Sequence, residues 1–175
     1  MKEVSNSLNP YEIVGGETDH YWFLTDLGAF YYAHFTSSSG LSELPGKVLT
    51  FSFRHYCTHP HWPAITDETG DRPVPPRYDR RIMETIAWLI SESLRKSPET
   101  AIAFICESNG GCAPGLQRLF ERWYRETSRL VTPKIAKYDS DFSGEGYGSI
   151  FVHQAHPEHE SIKTAFQDFS YVESD

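Results

Sequence analysis

A short, uninterrupted apolar run in the middle of the chain limits the folds that this sequence can adopt. Residues 101 to 106 read Ala-Ile-Ala-Phe-Ile-Cys, and the turn-forming residues Ser108 to Gly111 end the run. A continuous apolar segment of this length, bounded by turn signals, is typical of a strand that is covered on both faces. The run therefore predicts a strand in the interior of a sheet.

The first third of the chain has the alternating pattern of strands. Three segments carry it, residues 17–25, 29–36 and 48–56. The residues Asp26-Leu27-Gly28 are typical of a turn, so the first two segments are expected to form a hairpin. A further short strand is possible over residues 11–14. Five prolines between Thr58 and Pro76 predict a long loop there, because proline fixes φ and lacks a backbone donor.

The second half alternates helix and strand patterns. Asp79 is placed to cap a helix from Arg80, and an apolar stripe follows it up to Pro98. A second helix is predicted from Pro114, with its inward face formed by Leu116, Leu119, Phe120, Trp123 and Thr127. Two strands, at residues 134–138 and 147–153, and a last helix after Pro157 complete the order.

This order predicts an α+β fold. We expect a mixed, mainly antiparallel sheet with a strand meander at its N-terminal side, packed by about three helices. The 175 residues are expected to form a single domain, with residues 1–10 as a flexible N-terminus and residues 58–78 as a proline-rich loop.

Composition excludes several classes of protein. The formal net charge is −8, which disfavours a nucleic-acid binder, and the aromatic content of 14% excludes a disordered chain. Three cysteines, an odd number, do not indicate a fold that is stabilised by disulfide bonds. No apolar run approaches the ~18 residues of a membrane span, and the first ten residues lack the apolar core of a signal peptide. We therefore expect a cytoplasmic protein without membrane contact, and the oligomeric state stays open.

The first candidate site is the turn after the apolar run. In open sheets, ligands bind beyond the carboxyl ends of strands, and strand-to-helix loops carry function unusually often. A group of arginines precedes and begins the first helix, where a helix N-terminus attracts anions. The predicted ligand-binding residues are Tyr78, Arg80, Arg81, Asn109, Gly110, Gly111 and Arg118. The alternative is that Asn109 to Gly111 form only a tight turn, that Asp79 caps the helix, and that the arginines pair with Asp67, Glu68 and Asp71.

A second candidate site is a run of metal-binding residue types. His55, Cys57, His59 and His61 occupy every second position, and all four can bind zinc or copper. In an extended strand they lie about 6.5–7 Å apart per step, which is too wide for one ion unless the chain turns at Pro60. The alternative is a solvated loop after an edge strand, which we favour over a metal site.

The order of elements resembles the later part of the N-acetyltransferase (GNAT) fold. Asn109, Ala113 and the run from Leu119 to Tyr124 are similar to the acceptor-side helix of that family. The resemblance implies an acyl-coenzyme A cofactor. The family holds the pyrophosphate of the cofactor with a glycine-rich turn before the preceding helix, whereas this chain has no glycine between Asp71 and Asn109.

The chain also resembles a family of small bacterial proteins that form a domain of unknown function. The resemblance covers most of the chain. It implies a bacterial cytoplasmic source and transfers no activity or residue role. It rests on the following segments: Asn9-Pro10-Tyr11, Asp79-Arg80-Arg81-Ile82, Thr85-Ile86, Ile105-Cys106-Glu107-Ser108, Arg118-Leu119-Phe120, Trp123 and Tyr147-Gly148-Ser149.

Three functional hypotheses follow from these patterns. The first is a non-catalytic binding module without a cofactor, whose partner is another protein or a small anion. The second is an acyltransferase-like enzyme with an altered cofactor loop. The third is a metal-dependent protein that uses the histidine and cysteine run.

Overall fold

The described residues of the protein form six strands and three α-helices in a computed structural model. The structure describes residues 7–14, 19–56, 79–107, 113–130, 134–142 and 146–169. A short 3₁₀ turn at Ser39–Leu41 follows the second strand. In chain order the elements are β1 (His20–Leu24), β2 (Phe30–Ser37), β3 (Lys47–Tyr56), α1 (Arg80–Lys96), β4 (Thr100–Glu107), α2 (Ala113–Thr127), β5 (Ile135–Asp141), β6 (Gly146–His153) and α3 (His159–Gln167).

All six strands belong to one sheet, in the order β1-β2-β3-β4-β6-β5. Every neighbouring pair is antiparallel except β3 and β4, which are parallel. The predicted α+β class with a mixed, mainly antiparallel sheet is therefore confirmed. The apolar run forms β4 in the interior of the sheet, and Ala101, Ile102 and Ala103 are fully buried there.

The parallel pair at the centre of the sheet is short. Residues 47–50 of β3 pair with residues 100–103 of β4, and the pairing ends there. Beyond that point β3 remains paired with β2 up to Tyr56, while β4 remains paired with β6 up to Glu107. The two central strands therefore diverge, and we call the space between residues 51–56 and 104–107 the strand gap.

The helices cover opposite faces of the sheet. Ile86 of α1 and Phe120 of α2 belong to one apolar cluster together with Phe51 and Phe151 of the sheet. The second cluster, on the other face, contains Ile162 and Phe166 of α3. Gly148 of β6 faces this second cluster, and an added Cβ would lie 2.5 Å from the ring of Phe142. Burial of these two apolar faces fixes the sheet between the helices.

The predicted hairpin of β1 and β2 is present. Gly28 has a φ of 79°, and its N–H donates to the Thr25 carbonyl at 2.9 Å. The short strand that the sequence suggested over residues 11–14 is reduced to a single bridge between Ile13 and Phe23. Two residues before this bridge, the Tyr11 N–H donates to Thr85 Oγ1 of α1 at 2.8 Å. At Tyr11, a hydrogen bond to helix α1 therefore takes the place of the backbone hydrogen bonds that a strand would form.

The three helices differ in length, from 9 residues in α3 to 17 in α1. Among the described residues, none of them combines the length and the apolar character that crossing a bilayer requires.

Candidate functional site

The N-terminus of α1, where the sequence places an anion-binding group, is capped by the protein itself. The Asp79 carboxylate accepts a hydrogen bond from the Arg81 N–H at 2.8 Å, and the Asp79 carbonyl accepts from the Ile82 N–H at 3.1 Å. The Tyr11 hydroxyl donates to the other Asp79 oxygen at 2.6 Å. Burial, and then this bond to Asp79, raise the pKa of the Tyr11 phenol. The carboxylate thus occupies the position that an external anion would take.

Both arginines of the first helical turn have internal acidic partners. Arg80 Nε lies 2.8 Å from Glu84 Oε1, whose carboxylate also accepts from the Asn9 N–H. Arg81 pairs with Asp26 at 3.0 Å, and its guanidinium lies 3.9 Å from the centroid of the Tyr11 ring. These contacts bring together the first helix, the β1–β2 turn and residues 9–11. An anion at this place would compete with two carboxylates.

The other residues of the predicted anion site are less fully described. Arg118 lies on an exposed position of α2. Tyr78, Asn109, Gly110 and Gly111 lie outside the described residues.

Most of the predicted metal run also falls outside the described part of the chain. Cys57, His59 and His61 are not described, and His55 is described only as a backbone position of β3. Within the described ranges, no group of three or more histidine, cysteine or acidic side chains is arranged to hold a metal ion. The metal hypothesis therefore stays a prediction.

A groove lies between α1 and α2. It has a volume of about 50 Å³ and its wall is mainly apolar. We call it the α1–α2 groove. Its lining residues are Met83, Ile86, Ala87 and Ile90 from α1, Phe120, Trp123, Tyr124, Thr127 and Ser128 from α2 and its end, and Ile135 and Phe151 from the sheet.

A residue that lines this groove has a polar atom without a hydrogen-bond partner. Trp123 is buried, with 7% of its surface exposed, and its indole Nε1 is closed to water and left without an acceptor. The hydroxyls beside it are engaged, because Tyr124 donates to the Ile135 carbonyl at 3.0 Å and Thr127 donates to the Trp123 carbonyl at 2.8 Å. Buried donors in proteins are nearly always paired, so this N–H marks a place where an acceptor is missing.

Aromatic side chains close the strand gap on the same face of the sheet. Phe53 and Phe104 stand on the diverging halves of β3 and β4, and the Phe120 ring of α2 lies between them. The ring centroids are 3.9 Å apart for Phe104 and Phe120, and 5.8 Å for Phe53 and Phe120. A ligand that inserted between the two strands would have to displace the Phe120 ring.

Four polar side chains form a compact cluster on β5 and β6, which we call the β5 cluster. They are Lys137, Asp139, Tyr147 and Ser149. Lys137 forms an ion pair with Asp139, and its ammonium lies 3.4 Å from the Tyr147 hydroxyl. Ser149 donates to Asp139 Oδ1 at 2.7 Å. Ser149 is fully buried, so its hydroxyl is closed to an external substrate.

The cluster shifts the pKa of its acidic members in opposite directions. Burial alone would raise the pKa of Asp139, but the hydrogen bonds from Lys137, Tyr147 and Ser149 outweigh it and hold that pKa below the usual 3.8. Burial, and then the hydrogen bond to Asp139, raise the pKa of the Tyr147 phenol. The cluster is thus a neutralised ion pair with hydroxyl donors around it, which is the form a buried charge needs in order to be tolerated.

Neither the groove nor the β5 cluster was among the sites predicted from the sequence. The sequence predicts Trp123 on the inward face of α2, and Trp123 is indeed buried, but the pattern predicts a packed side chain and not one that lines a groove. A buried tryptophan needs an acceptor for its N–H, and this need is the signal that could have indicated the groove. For the cluster, the signal was the pair of opposite charges at positions 137 and 139, which share one face of a strand.

Comparison of the chain with models of protein families, with curated proteins and with solved structures gave no match.

Proposed function

We propose that this protein is a non-catalytic binding module that takes a small, uncharged ligand into the α1–α2 groove. The unpartnered indole N–H of Trp123 carries this proposal. An apolar cavity with a few directed polar groups is the usual form of a small-molecule site. The N–H is closed to water in the unliganded groove, so the proposed ligand places an apolar end in the groove and reaches the N–H with a carbonyl-type oxygen after the side chains around Trp123 move.

The size of the groove limits the part of the ligand that enters it. An apolar cavity of about 150 Å³ takes up a benzene molecule, and the groove has about 50 Å³. At the same packing it accepts about two non-hydrogen atoms, such as the methyl groups at the end of a branched alkyl chain. The groove is open on one side, so the rest of a larger ligand lies outside it.

The charge of the surroundings favours an uncharged acceptor over an anion. The groove itself has no charged lining residue. Lys137 does not line the groove; its Nζ lies 5.9 Å from the centroid of the Tyr124 ring and is already paired with Asp139. A carboxylate in the groove would lose its hydration without gaining a free cation. The small-anion ligand expected from Arg80 and Arg81 is thus less well supported than a neutral one.

Nuclear magnetic resonance with a neutral fragment tests the proposal. We expect isobutyramide to bind the native protein weakly, in the millimolar range that fits its few atoms, and to shift the indole N–H signal of Trp123. The variant Trp123→Phe removes the donor and keeps an aromatic ring, and it also enlarges the cavity because phenylalanine is the smaller side chain. Its affinity for isobutyramide should fall about 3–10-fold, as loss of one neutral hydrogen bond predicts.

Two controls make the result specific. Xenon fills apolar cavities without accepting a hydrogen bond, so it should bind Trp123→Phe at least as well as the native protein, because the substitution enlarges the cavity. The variant Trp88→Phe changes a partly buried tryptophan of α1 that does not line the groove, and it should leave isobutyramide binding unchanged. The proposal is wrong if isobutyramide leaves the Trp123 signal in place, or if both tryptophan variants weaken binding equally.

A second candidate function, an acyltransferase-like activity with acyl-coenzyme A, is favoured by one observation. The order of strands and helices, with a single parallel pair at the centre of the sheet, is similar to the later part of the GNAT fold. Two features weigh against it, namely the capping of α1 by Asp79 and the aromatic rings in the strand gap.

A thermal-shift titration separates the two candidates. Binding of acetyl-coenzyme A to the native state must raise the midpoint of unfolding. We expect no rise at a ligand concentration of about 1 mM, well above the dissociation constant of a working cofactor site. A rise of several degrees would favour the acyltransferase candidate over the binding module.

A further inference from the structure

We propose that His20 and His34 form a pH-sensitive contact between β1 and β2, so that β1 opens from the sheet more often as the pH falls into the mildly acidic range. The proposal concerns the N-terminal edge of the sheet and does not depend on the function of the groove. It rests on the stacking of the two imidazole rings, on the surroundings of His34, and on the position of β1 at the edge of the sheet.

The two histidines lie directly opposite each other in the β1–β2 ladder. His20 pairs with His34 in the register, and their rings stack with centroids 5.8 Å apart and planes 10° apart. The Tyr32 ring lies beside both, 5.7 Å from the His20 ring and 5.0 Å from the His34 ring. The Tyr32 hydroxyl forms a hydrogen bond with His20 Nδ1. Like charges on directly opposite residues destabilise a strand pair, so protonation of both histidines would weaken this contact.

The surroundings of the His34 ring favour its neutral form. His34 Nδ1 is closed to water and has no hydrogen-bond partner in the part of the chain that the structure describes. A protonated imidazole carries an N–H on both ring nitrogens, so protonation would create a charged donor without an acceptor. The neutral ring avoids this cost because its Nδ1 can remain unprotonated.

The groups that face His34 also oppose its protonation. Among the described residues they are His20 on β1, Tyr32 on β2 and Arg54 on β3. The guanidinium of Arg54 lies 5.6 Å from the centroid of the Tyr32 ring. Burial, then His20 and then Arg54 lower the pKa of His34. None of the three facing residues is a carboxylate, so none of them offsets a positive charge on His34.

Strand β1 is the element that can relieve this cost by moving. It is the first strand of the sheet and has five residues. Apart from the bridge between Ile13 and Phe23, β2 is the only described strand that pairs with it. In contrast, β2 is also paired with β3 along eight residues. When β1 opens, His20 leaves the stack and water reaches the His34 ring. Local openings of this kind cost less free energy than unfolding of the whole chain.

The sign of the pH dependence follows from the two states of His34. In the open form His34 has the ordinary histidine pKa of about 6.5, whereas in the closed hairpin its pKa is lower. The closed form therefore has its full stability above about pH 6.5 and loses part of it as the pH falls towards the lower, closed-state pKa. Because Phe23 of β1 is fully buried, the open form stays a minor population, which acid enlarges.

Hydrogen exchange followed by nuclear magnetic resonance tests the proposal strand by strand. Between pH 7.5 and pH 5 we expect the protection factors of the β1 amides to fall several-fold. The upper limit is about 30-fold, which applies if His34 stays neutral in the closed hairpin. At both pH values β1 should be less protected than β6. Equal protection of β1 and β6 at pH 5 would show that the chain opens as a whole, and would overturn the proposal.

Replacement of His34 identifies the group that titrates. The variant His34→Phe keeps a ring in the stack and cannot be protonated, so its β1 protection factors should lose most of their pH dependence. The matched control is His159→Phe, which replaces a half-buried histidine next to β5 at the opposite edge of the sheet. That control should keep the native pH dependence of β1. The proposal is wrong if His34→Phe also keeps it.

Titration of the His34 ring in the native chain decides the question if His34→Phe does not fold. The ring signal should titrate below the ordinary histidine value, and a midpoint at or above about pH 6.5 would overturn the proposal. Arg54→Gln removes a cation that faces His34, so the midpoint should move upward and the pH dependence of β1 should shrink. Arg54→Lys keeps the positive charge and should behave like the native chain.

Discussion

Lys137 and Asp139 are paired at very different depths. The Lys137 side chain is 4% exposed and that of Asp139 is 42% exposed. A buried charge that loses its partner is costly, whereas a charge in contact with water can be solvated. The burial of each member therefore decides which half of this ion pair is the more sensitive to substitution.

We predict unequal losses of stability for the two neutral substitutions. Asp139→Asn leaves the buried ammonium unpaired and should lower the free energy of unfolding by about 2–3 kcal/mol. Lys137→Met leaves a half-exposed carboxylate and should cost about 1 kcal/mol. Urea unfolding at neutral pH measures both. Equal losses, or a larger loss for Lys137→Met, would contradict this account of the cluster.

The pH dependence of the same pair has a definite sign. The folded-state pKa of Asp139 lies below its unfolded value, so the carboxylate stabilises the fold at all pH values above about 4. That contribution is lost as the pH falls through the lower, folded-state pKa. The stability difference between the native chain and Asp139→Asn should therefore shrink below about pH 4 and stay constant above pH 5.

Helix α1 depends at its beginning on a residue that serves two neighbours. Asp79 caps the helix through the Arg81 N–H and also accepts the Tyr11 hydroxyl. The cap thereby joins residues 9–11 to the first turn of the helix. This dual role explains why the arginine-rich turn carries internal bonds where the sequence suggested an anion site.

We predict that Asp79→Ala lowers the free energy of unfolding by about 1–2 kcal/mol. The loss combines a missing N-cap with a missing acceptor for Tyr11. The control Asp79→Asn retains a good capping side chain and should stay within about 0.5 kcal/mol of the native protein. Thermal or urea unfolding followed by circular dichroism measures the three proteins. A similar loss for both variants would show that the negative charge, and not the cap, matters at this position.

At the scale of the whole molecule, several tyrosine side chains are buried together with their phenolic hydroxyl groups. Burial is the main cause that raises the pKa of Tyr11, Tyr21, Tyr31, Tyr124 and Tyr147. The pKa of Tyr31 rises to about 12. The fold is therefore stabilised by protonated phenols at several places at once.

We predict a loss of stability in alkali, with its sign set by these raised values. The unfolded chain releases its phenolic protons near pH 10, whereas folded Tyr31 retains its proton up to about pH 12. The contribution of Tyr31 to the free energy of unfolding is therefore fully present below pH 10, and it decreases as the pH rises towards 12. Urea unfolding at pH 9, 10 and 11 should show a smaller loss for Tyr31→Phe than for the native protein. An identical pH dependence of the two would contradict a raised pKa at Tyr31.

The sequence by itself determined the elements and the class of the fold. The apolar run at 101–106, the cap at Asp79 and the turn at Gly28 act over a few residues, so their patterns can be read along the chain. These patterns predicted β4, α1 and the first hairpin, and their order predicted the α+β class.

Only the tertiary structure decided where binding groups meet. Trp123 and Met83 come from separate helices, and Lys137 and Ser149 from separate strands, so no local pattern connects them. The partner of Arg81 was likewise set by packing, because the β1–β2 turn approaches α1 only in the folded chain. Arg80 instead pairs with Glu84, one turn along the same helix. Periodicity depends on neighbours in sequence, whereas a groove or a buried polar cluster depends on distances between segments that are far apart along the chain.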